Sequence, residues 1–560
     1  MPSSLSALFS ELFASSPLRH RAFRLFHFGS IGAALGYTMQ ATVAAWLMAT
    51  LTPSALMVSL VQTASTVPAL LFGLFAGTLA DIVDRRRIIL VTQVLLLVAT
   101  AVLGVATLAG LVGPVALLAL TFLVGLGFTF YQPAQQASIN ELVARTELPR
   151  AVALGAVAFN VARAVGPALA GAIAAWMSSG SALLASAACF VLMIVAIRGL
   201  GARDRPLPGV PERLVSGALS GIRFARHSPA MRSLILRNLT FAVCASAFWA
   251  LLPVIARDQL RLGAGGFGLL SAGFGTGAVV GALSIPGQLR RRSLNGVVSA
   301  AVLLWIASIV LIAIAELTAL AVVGTFGAGM AWVCVFASLS AGTQSTAPPW
   351  VRARAVAMSL VAVQASLAIG SVFWGAWATT GGTRAALLGS AVIMVLLHAV
   401  TWRIRVGMGT EADITPGLQL PELTMVEPPM PDDGPVLIQV DYRVDQDRRA
   451  AFLRAVHGVE PIRRRNGAVS WRVFRDVAEE GRVVERFIIP SWAEYVRLRH
   501  RMTVADRRTL DALEAFQRPG VLIRVSRLIG IGPADADAAI AVPPRTGDRA
   551  DEGTDAESSR

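Results

Sequence analysis

Few residues of this 560-residue chain are of types that do chemistry, and the sequence sets most of them in apolar surroundings. Arg163 stands in NVARAVGPALAG, within a run whose other charge is Arg150 at its start, one turn after Asn160 and just before Gly166-Pro167. An arginine held in hydrocarbon is costly, so it should face a protein interior or water and draw a partner, attract an anionic substrate, or gate a path. Gln40, Gln62, Gln132, Gln344 and Gln364 punctuate other apolar runs. Such amides either line a cavity or bond between helices. A second cluster is GTLADIVDRRR, Gly77 to Arg87, where Asp81 precedes Arg85 and Arg86. A carboxylate at a helix end can cap the amides of a neighbouring helix, and the run that begins near Arg354 is the expected partner. Together they read as a conformational latch. The third group, Trp471, Trp492, Tyr495 and His500, falls in a polar C-terminal region, where it lines a pocket or fills a core and dimer contact.

Other chemistries find no residues. Cys189, Cys244 and Cys334 lie inside apolar runs without metal spacing and read as small core hydrophobes, so no metal is expected. No phosphate-binding lysine loop appears, which leaves a proton or other ion gradient as the energy source and no cofactor. His27 and His398 sit near the ends of apolar runs and read as interfacial.

The elements that must position these residues follow from composition. With 55% hydrophobic and 15% charged residues and a mean hydropathy of +0.64, the chain reads as an integral membrane protein. The formal charge of +15 gathers beside apolar runs and forms no long basic face, so topology accounts for it better than nucleic acid does. No cleaved leader is expected. Cutting at charges and Gly/Pro breaks gives twelve runs of bilayer length, at 22–49, 57–80, 88–109, 113–136, 150–176, 180–198, 234–256, 266–288, 296–315, 317–341, 354–378 and 384–403. Arginines concentrate in alternate connections, which puts both termini in the cytoplasm.

The expected domains are a cytoplasmic segment 1–21, a transmembrane half 22–198, a cytoplasmic linker 199–233, a second half 234–403, a linker 404–434, a soluble domain 435–530 and a disordered tail 531–560. The halves read as parallel copies. Arg150-Ala151-Val152-Ala153 recurs as Arg354-Ala355-Val356-Ala357, an offset of 354 − 150 = 204, and at that offset Gly77 meets Gly281 and Gly166 meets Gly370. Gly73 with Gly77, and Gly273 with Gly277 and Gly281, form small-xxx-small stripes for close helix packing. In the soluble domain, strand 436–444, helix 446–465, strand 468–476, strand 482–489, helix 492–516 and strand 521–528 give a βαββαβ order of ferredoxin-like type.

Twelve spans in two parallel halves, with this charged loop after the second, resemble the major facilitator superfamily. Gly77 to Arg87 is similar to its loop signature of Gly, Asp four later, then basic residues, with Ile82 where a basic residue is usual and Asp84 where a glycine is. The loop, NVARAVGPALAG and the stretch Ala250 to Gly281 look like the enterobactin-exporter-like and macrolide-efflux-like branch. That resemblance implies secondary active export of a small molecule across a bacterial inner membrane, with Gly166-Pro167 matching the glycine-proline motif of exporter fifth helices. ERFIIPSWAEYVRLRHRMTVAD, Glu485 to Asp506, is similar to antibiotic-biosynthesis-monooxygenase-like dimeric α/β-barrel domains. This implies a route to dimerisation through the C-terminal domain. The chain is therefore expected to be a transporter and no enzyme, working by alternating access in a lipid bilayer. A membrane-tethered cofactor-free monooxygenase or a non-transporting sensor are the alternatives.

Overall fold

The computed structural model describes residues 16–144, 146–200, 214–417 and 429–531. The expected N-terminal segment up to residue 15, residues 201–213 and 418–428 of the linkers, and the tail from residue 532 lie outside them. Contacts divide the chain into two units, which meet at Thr415 and Pro416.

The first unit is all helix. In chain order come α1 (Arg21–Leu51), α2 (Ala55–Ile82), α3 (Arg85–Leu108), α4 (Pro114–Leu142), α5 (Leu148–Trp176) and α6 (Ser179–Arg198). An amphipathic α7 (Leu214–His227) leads to α8 (Pro229–Val254), α9 (Ala264–Arg291), α10 (Leu294–Ile314), α11 (Thr318–Thr346), α12 (Arg352–Gly381) and α13 (Thr383–Thr401). Eleven of these helices are long and apolar enough to cross a membrane. Their bounds track the expected runs closely, as at Ser179–Arg198 against 180–198. The exception is α1, which has the length, 31 residues, but whose apolar run is diluted by Tyr37, Thr38, Gln40 and Thr42.

Short polar residues start the helices where the chain turns. Ser54, Asp84, Ser178, Ser228 and Ser293 each accept a hydrogen bond from a first-turn amide of α2, α3, α6, α8 and α10. Asp84, which departs from the family loop signature, is thus the N-cap of α3: its Oδ1 accepts from the Arg86 amide at 3.0 Å. At the other end of α8 the chain passes into one π-turn, Ile255–Gln259, and the Gln259 amide donates to the carbonyls of Ile312, Ala313 and Ala315 that close α10.

The first six helices pack among themselves, as α1 against α5 and α6 and α3 against α4 and α6; α8–α13 repeat the arrangement. Two helix pairs tie the sets together: α5 lies along α9, and α2 along α12. The apolar core of each set is large, with Trp305, Phe241 and Phe248 fully buried in the second and Phe23, Phe26 and Phe190 in the first.

The second unit carries one antiparallel sheet of order β2-β3-β1-β4, built from β1 (Val436–Arg443), β2 (Ser470–Arg475), β3 (Arg482–Ile489) and β4 (Arg524–Ile529). Helices α14 (Arg449–His457) and α15 (Glu460–Asn466) follow β1, and α16 (Trp492–Arg501) and α17 (Val504–Glu514) follow β3. Each helix expected as continuous is therefore two. The first break falls ahead of Pro461, which occupies the first turn of α15. The second falls at Thr503, which opens α17 with a capping box to Asp506. Val436, Ile438, Val440 and Tyr442 of β1 and Val483, Phe487 and Ile489 of β3 are buried in one core with Phe452, Leu498 and Leu513.

Candidate functional site

Arg163 sits on α5 where the two helix sets meet. Its guanidinium carbon lies 5.9 Å from the ring centres of Phe159 and Trp249 and 6.0 Å from that of Phe274. Phe159 shares α5, whereas Trp249 and Phe274 come from α8 and α9 of the second set. Each distance is at the outer limit of a cation–π contact, so the rings surround the charge without clasping it. Among the described residues no hydrogen bond or ion pair reaches this guanidinium. Trp249 and Phe274 are themselves held edge to face at 4.6 Å, and Trp332 stands 5.7 Å from Trp249. On α1, Tyr37 stacks on Phe128 of α4 at 3.8 Å. A charge enclosed by aromatic faces from both sets can bind an anion, or the anionic group of a flat molecule.

The backbone beneath is set by Gly166-Pro167. Pro167 has no N–H to give the carbonyl of Arg163, four residues earlier. That carbonyl is 2.5 Å from where a Cβ on Gly275 would stand, so α5 and α9 approach here to backbone contact. Two turns further from the arginine-rich end, a Cβ on Gly268 would lie 2.7 Å from the Pro167 carbonyl oxygen and 2.8 Å from Gly171 Cα. Gly166 meets Thr38 of α1, whose hydroxyl donates to the Ala162 carbonyl at 3.0 Å.

Of the expected stripes, one packs and one does not. Gly273, Gly277 and Gly281 face α11 at Thr325, Phe326 and Met330, with backbone atoms nearest at Gly277 and Gly281. At Gly73 and Gly77 an added Cβ would meet no atom within 4 Å among the described residues. The seam between α2 and α12 is closed instead at its other end: Thr63 donates to the Ala368 carbonyl at 3.2 Å and Gly375 packs on Ser59. There too Arg257 of the second set donates to the carbonyls of Ala49 and Thr52 of the first. The two sets thus touch at the end away from the arginine clusters.

At the arginine-rich end the latch residues engage their own neighbours. Arg85 donates to the Ala80 and Ala137 carbonyls and to Glu141 at 2.6 Å, and Arg86 to the Leu200 carbonyl at 2.8 Å. Arg354 packs its Cβ 3.1 Å from the position a Cβ would take on Gly221 of α7. Asp81 is in the last turn of α2, and its side chain lies outside the described residues. Nearby Glu147 accepts from His20 at 2.8 Å and pairs with Arg19 at 2.7 Å; the His20 bond, then these charges, hold its carboxyl below the usual range.

The expected path residues scatter. Gln40 is buried with its amide nitrogen unbonded among the described residues, while Gln62, Gln132 and Gln364 are half-buried. Asn160 and Gln344 bond back to their own helices, at Ala156 and Ser340. Sequence reasoning passed over Gln93, wholly buried on α3 with both amide atoms unbonded among the described residues. It also set His398 at an interface, whereas the ring is buried and its Nδ1 accepts from Arg237 at 3.1 Å.

In the second unit Trp471 points into the core and donates its indole N–H to Glu485 at 2.9 Å. Glu485 is wholly buried and also holds Arg463, at 2.9 and 3.2 Å, and the Tyr442 hydroxyl at 3.2 Å. Burial pushes its carboxyl up, but Arg463 and the other donors overcome this and leave it below the usual range. Trp492 packs on Tyr495 at 5.1 Å, and the Tyr495 oxygen accepts from Arg527 at 2.6 Å. His500 is exposed on α16.

Three comparisons bear on this arrangement. The family described as transmembrane secretion effector matches residues 13–534, across both units. The multidrug efflux pump Tap of Mycolicibacterium fortuitum is 26% identical over 385 residues, 67% of this chain and 93% of that protein. The staphyloferrin A transporter of Staphylococcus aureus is 24% identical over 246 residues, 44% of this chain and 62% of the relative. Among solved structures, a bacterial homologue of the human lysosomal transporter Spinster, inward-facing and unoccupied, superposes with TM-score 0.56 at 14% identity, covering 70% of this chain and 97% of that one. The nucleoside transporter NupG gives TM-score 0.56 at 15% identity, over 68% and 98%. At these identities the structural likeness is one of fold.

Proposed function

The chain belongs to the transmembrane secretion effector family of major facilitator transporters, and on that premise we propose that it exports an anionic small molecule by alternating access around Arg163. The carrying observation is the arginine with no partner among the described residues, ringed by aromatic side chains from both helix sets. A substrate held there touches both sets at once, which is what coupling their rocking to binding requires. Efflux of small molecules agrees with the relatives, a drug pump and a siderophore transporter by name.

In this reading α1 is the first of twelve spans. Its length and its packing between α5 and α6 support that count. The arginine-rich ends face the cytoplasm of a bacterial inner membrane, with both termini there. The conformation is then inward-facing, its sets joined on the far side by Gly171, Gly268, Thr63 and Arg257. Asp81, Gly77 and Arg354 would meet when the cytoplasmic ends close, and Arg85 and Arg86 would keep the turn rigid throughout. An ion gradient drives the cycle. The second unit is a ferredoxin-like, monooxygenase-like domain without catalysis. It is suited to pairing through the sheet face that leaves Phe474 and Leu528 exposed.

The test compares extracellular metabolites from wild-type, deleted and Arg163→Ala cells. Arg163→Ala should match the deletion while keeping normal membrane abundance. Export at the wild-type level by that variant removes Arg163 from the site.

A further inference from the structure

The repeated arginine turn is used differently in its two copies. After α2, Arg85 and Arg86 are spent on Glu141 and on the Ala137 and Leu200 carbonyls. After α9, the side chains of Arg291 and Arg292 make no hydrogen bond or ion pair among the described residues. They stand instead at the mouth of a groove of about 580 Å³.

The groove exists because the glycine stripe stops. Through Gly281 the helices α9 and α11 are in backbone contact, a Cβ there falling 2.7 Å from the Met330 carbonyl oxygen. Beyond it Pro286 interrupts the α9 hydrogen bonding, and α9 and α10 hardly touch although a two-residue turn joins them. The walls thus exposed are Ala300 and Leu304 of α10 and Met330 and Cys334 of α11, with Gln288 donating to Ser284 at 2.8 Å along the α9 side. Leu283 and Leu303, next in sequence to the lining residues Ser284 and Leu304, are exposed. From Ser284 to Arg291 is two helical turns, roughly 10 Å of depth below a doubly cationic rim, with the apolar walls on the α10 and α11 sides.

We propose that this groove holds one anionic phospholipid, its phosphate on Arg291 and Arg292 and an acyl chain along Ala300, Leu304 and Met330. A soluble anion would leave the apolar walls wet. A zwitterionic lipid would bring a cation to a rim that already carries two and no acid. Basic pockets between helices at a membrane face are suited to such headgroups. An occupied groove would wedge the arginine-rich ends of α9 and α10 apart.

The full-length protein, stripped of lipid in detergent, is titrated with phosphatidylglycerol, phosphatidylcholine or glycerol 3-phosphate and read by native mass spectrometry. One phosphatidylglycerol should be retained at least tenfold more strongly than phosphatidylcholine, and glycerol 3-phosphate should not displace it. R291Q/R292Q should lose that preference. Ala300→Phe, which fills the groove and keeps the charges, should lower retention at least tenfold. The proposal is overturned by displacement with glycerol 3-phosphate, by equal retention of the two lipids, or by wild-type retention in either variant. The wild-type arms decide the matter even where a variant fails to fold.

Discussion

Gly268 is where the seam between α5 and α9 can be perturbed in one state of the protein and spared in the other. A methyl there would stand 2.7 Å from the Pro167 carbonyl oxygen and 2.8 Å from Gly171 Cα, both backbone atoms that yield only if the helices move apart. Such overpacking costs about 1–3 kcal/mol. The cost applies only while the sets touch at this end, so Gly268→Ala should shift the balance toward the state open here by about 5- to 150-fold. Thr63, bonded across the parallel seam to the Ala368 carbonyl, is a reporter site at the same end. In a background with Cys189, Cys244 and Cys334 replaced by serine, reaction of Thr63→Cys with a membrane-impermeant maleimide measures the fraction open. Its rate should rise by that factor in Gly268→Ala. Gly171→Ala acts on the same gap and should add little in the double variant. Gly73→Ala, which meets no atom within 4 Å, should leave the rate unchanged. A rate in Gly268→Ala within twofold of the parent would refute the closed seam.

Three further outcomes are expected. Glu485→Gln leaves Arg463 charged and buried without its partner, a loss of about 3–5 kcal/mol, so amide exchange across Val483–Ile489 in the full chain should accelerate at least a hundredfold. The Glu485 carboxyl is depressed in the folded state, so its stabilisation is present above the unfolded carboxylate pKa of about 4.3 and should vanish as pH falls through the folded value; flat protection factors from pH 7 to pH 3, with the intrinsic pH dependence of exchange divided out, would count against the network. Asp81→Asn should slow efflux roughly tenfold, as loss of one charge-assisted hydrogen bond implies, and more than Arg87→Gln does. Equal losses from the two would sink the latch.

The spans were legible because a bilayer-length apolar run has one interpretation, and α6 or α13 needed no more than that. The contacts between them were not. Small-xxx-small spacing reports a helix face but not what stands opposite, so Gly73-Gly77 and Gly273-Gly277-Gly281 read alike although only the second meets a neighbour. Gly268 and Gly275, which do join the two sets, lie off the chosen stripe. Arg163 was legible through its cost in hydrocarbon, whereas the rings of Trp249 and Phe274 around it arrive from helices about a hundred residues away. The Glu485 network left a signal that went unread: in RVVERFII the acid shares the inward phase of Val483, Phe487 and Ile489. The break at Thr503 was likewise written in TVAD, a capping box.

Helix α9 has backbone neighbours on two sides, α5 through Gly268 and Gly275 and α11 through Gly277 and Gly281. Its glycines therefore answer to two different selective pressures along one stretch of sequence. Losing Gly277 or Gly281 strikes a contact made whenever the second set is assembled, and such alleles should disappear from the membrane. Losing Gly268 strikes a contact that must be broken in every cycle, and such alleles persist as abundant protein with the wrong resting posture. With Gly273, which packs on Thr325 of α11, the two classes alternate along Gly268, Gly273, Gly275 and Gly277, so a mutational history of this helix would read as interleaved records of assembly and of motion.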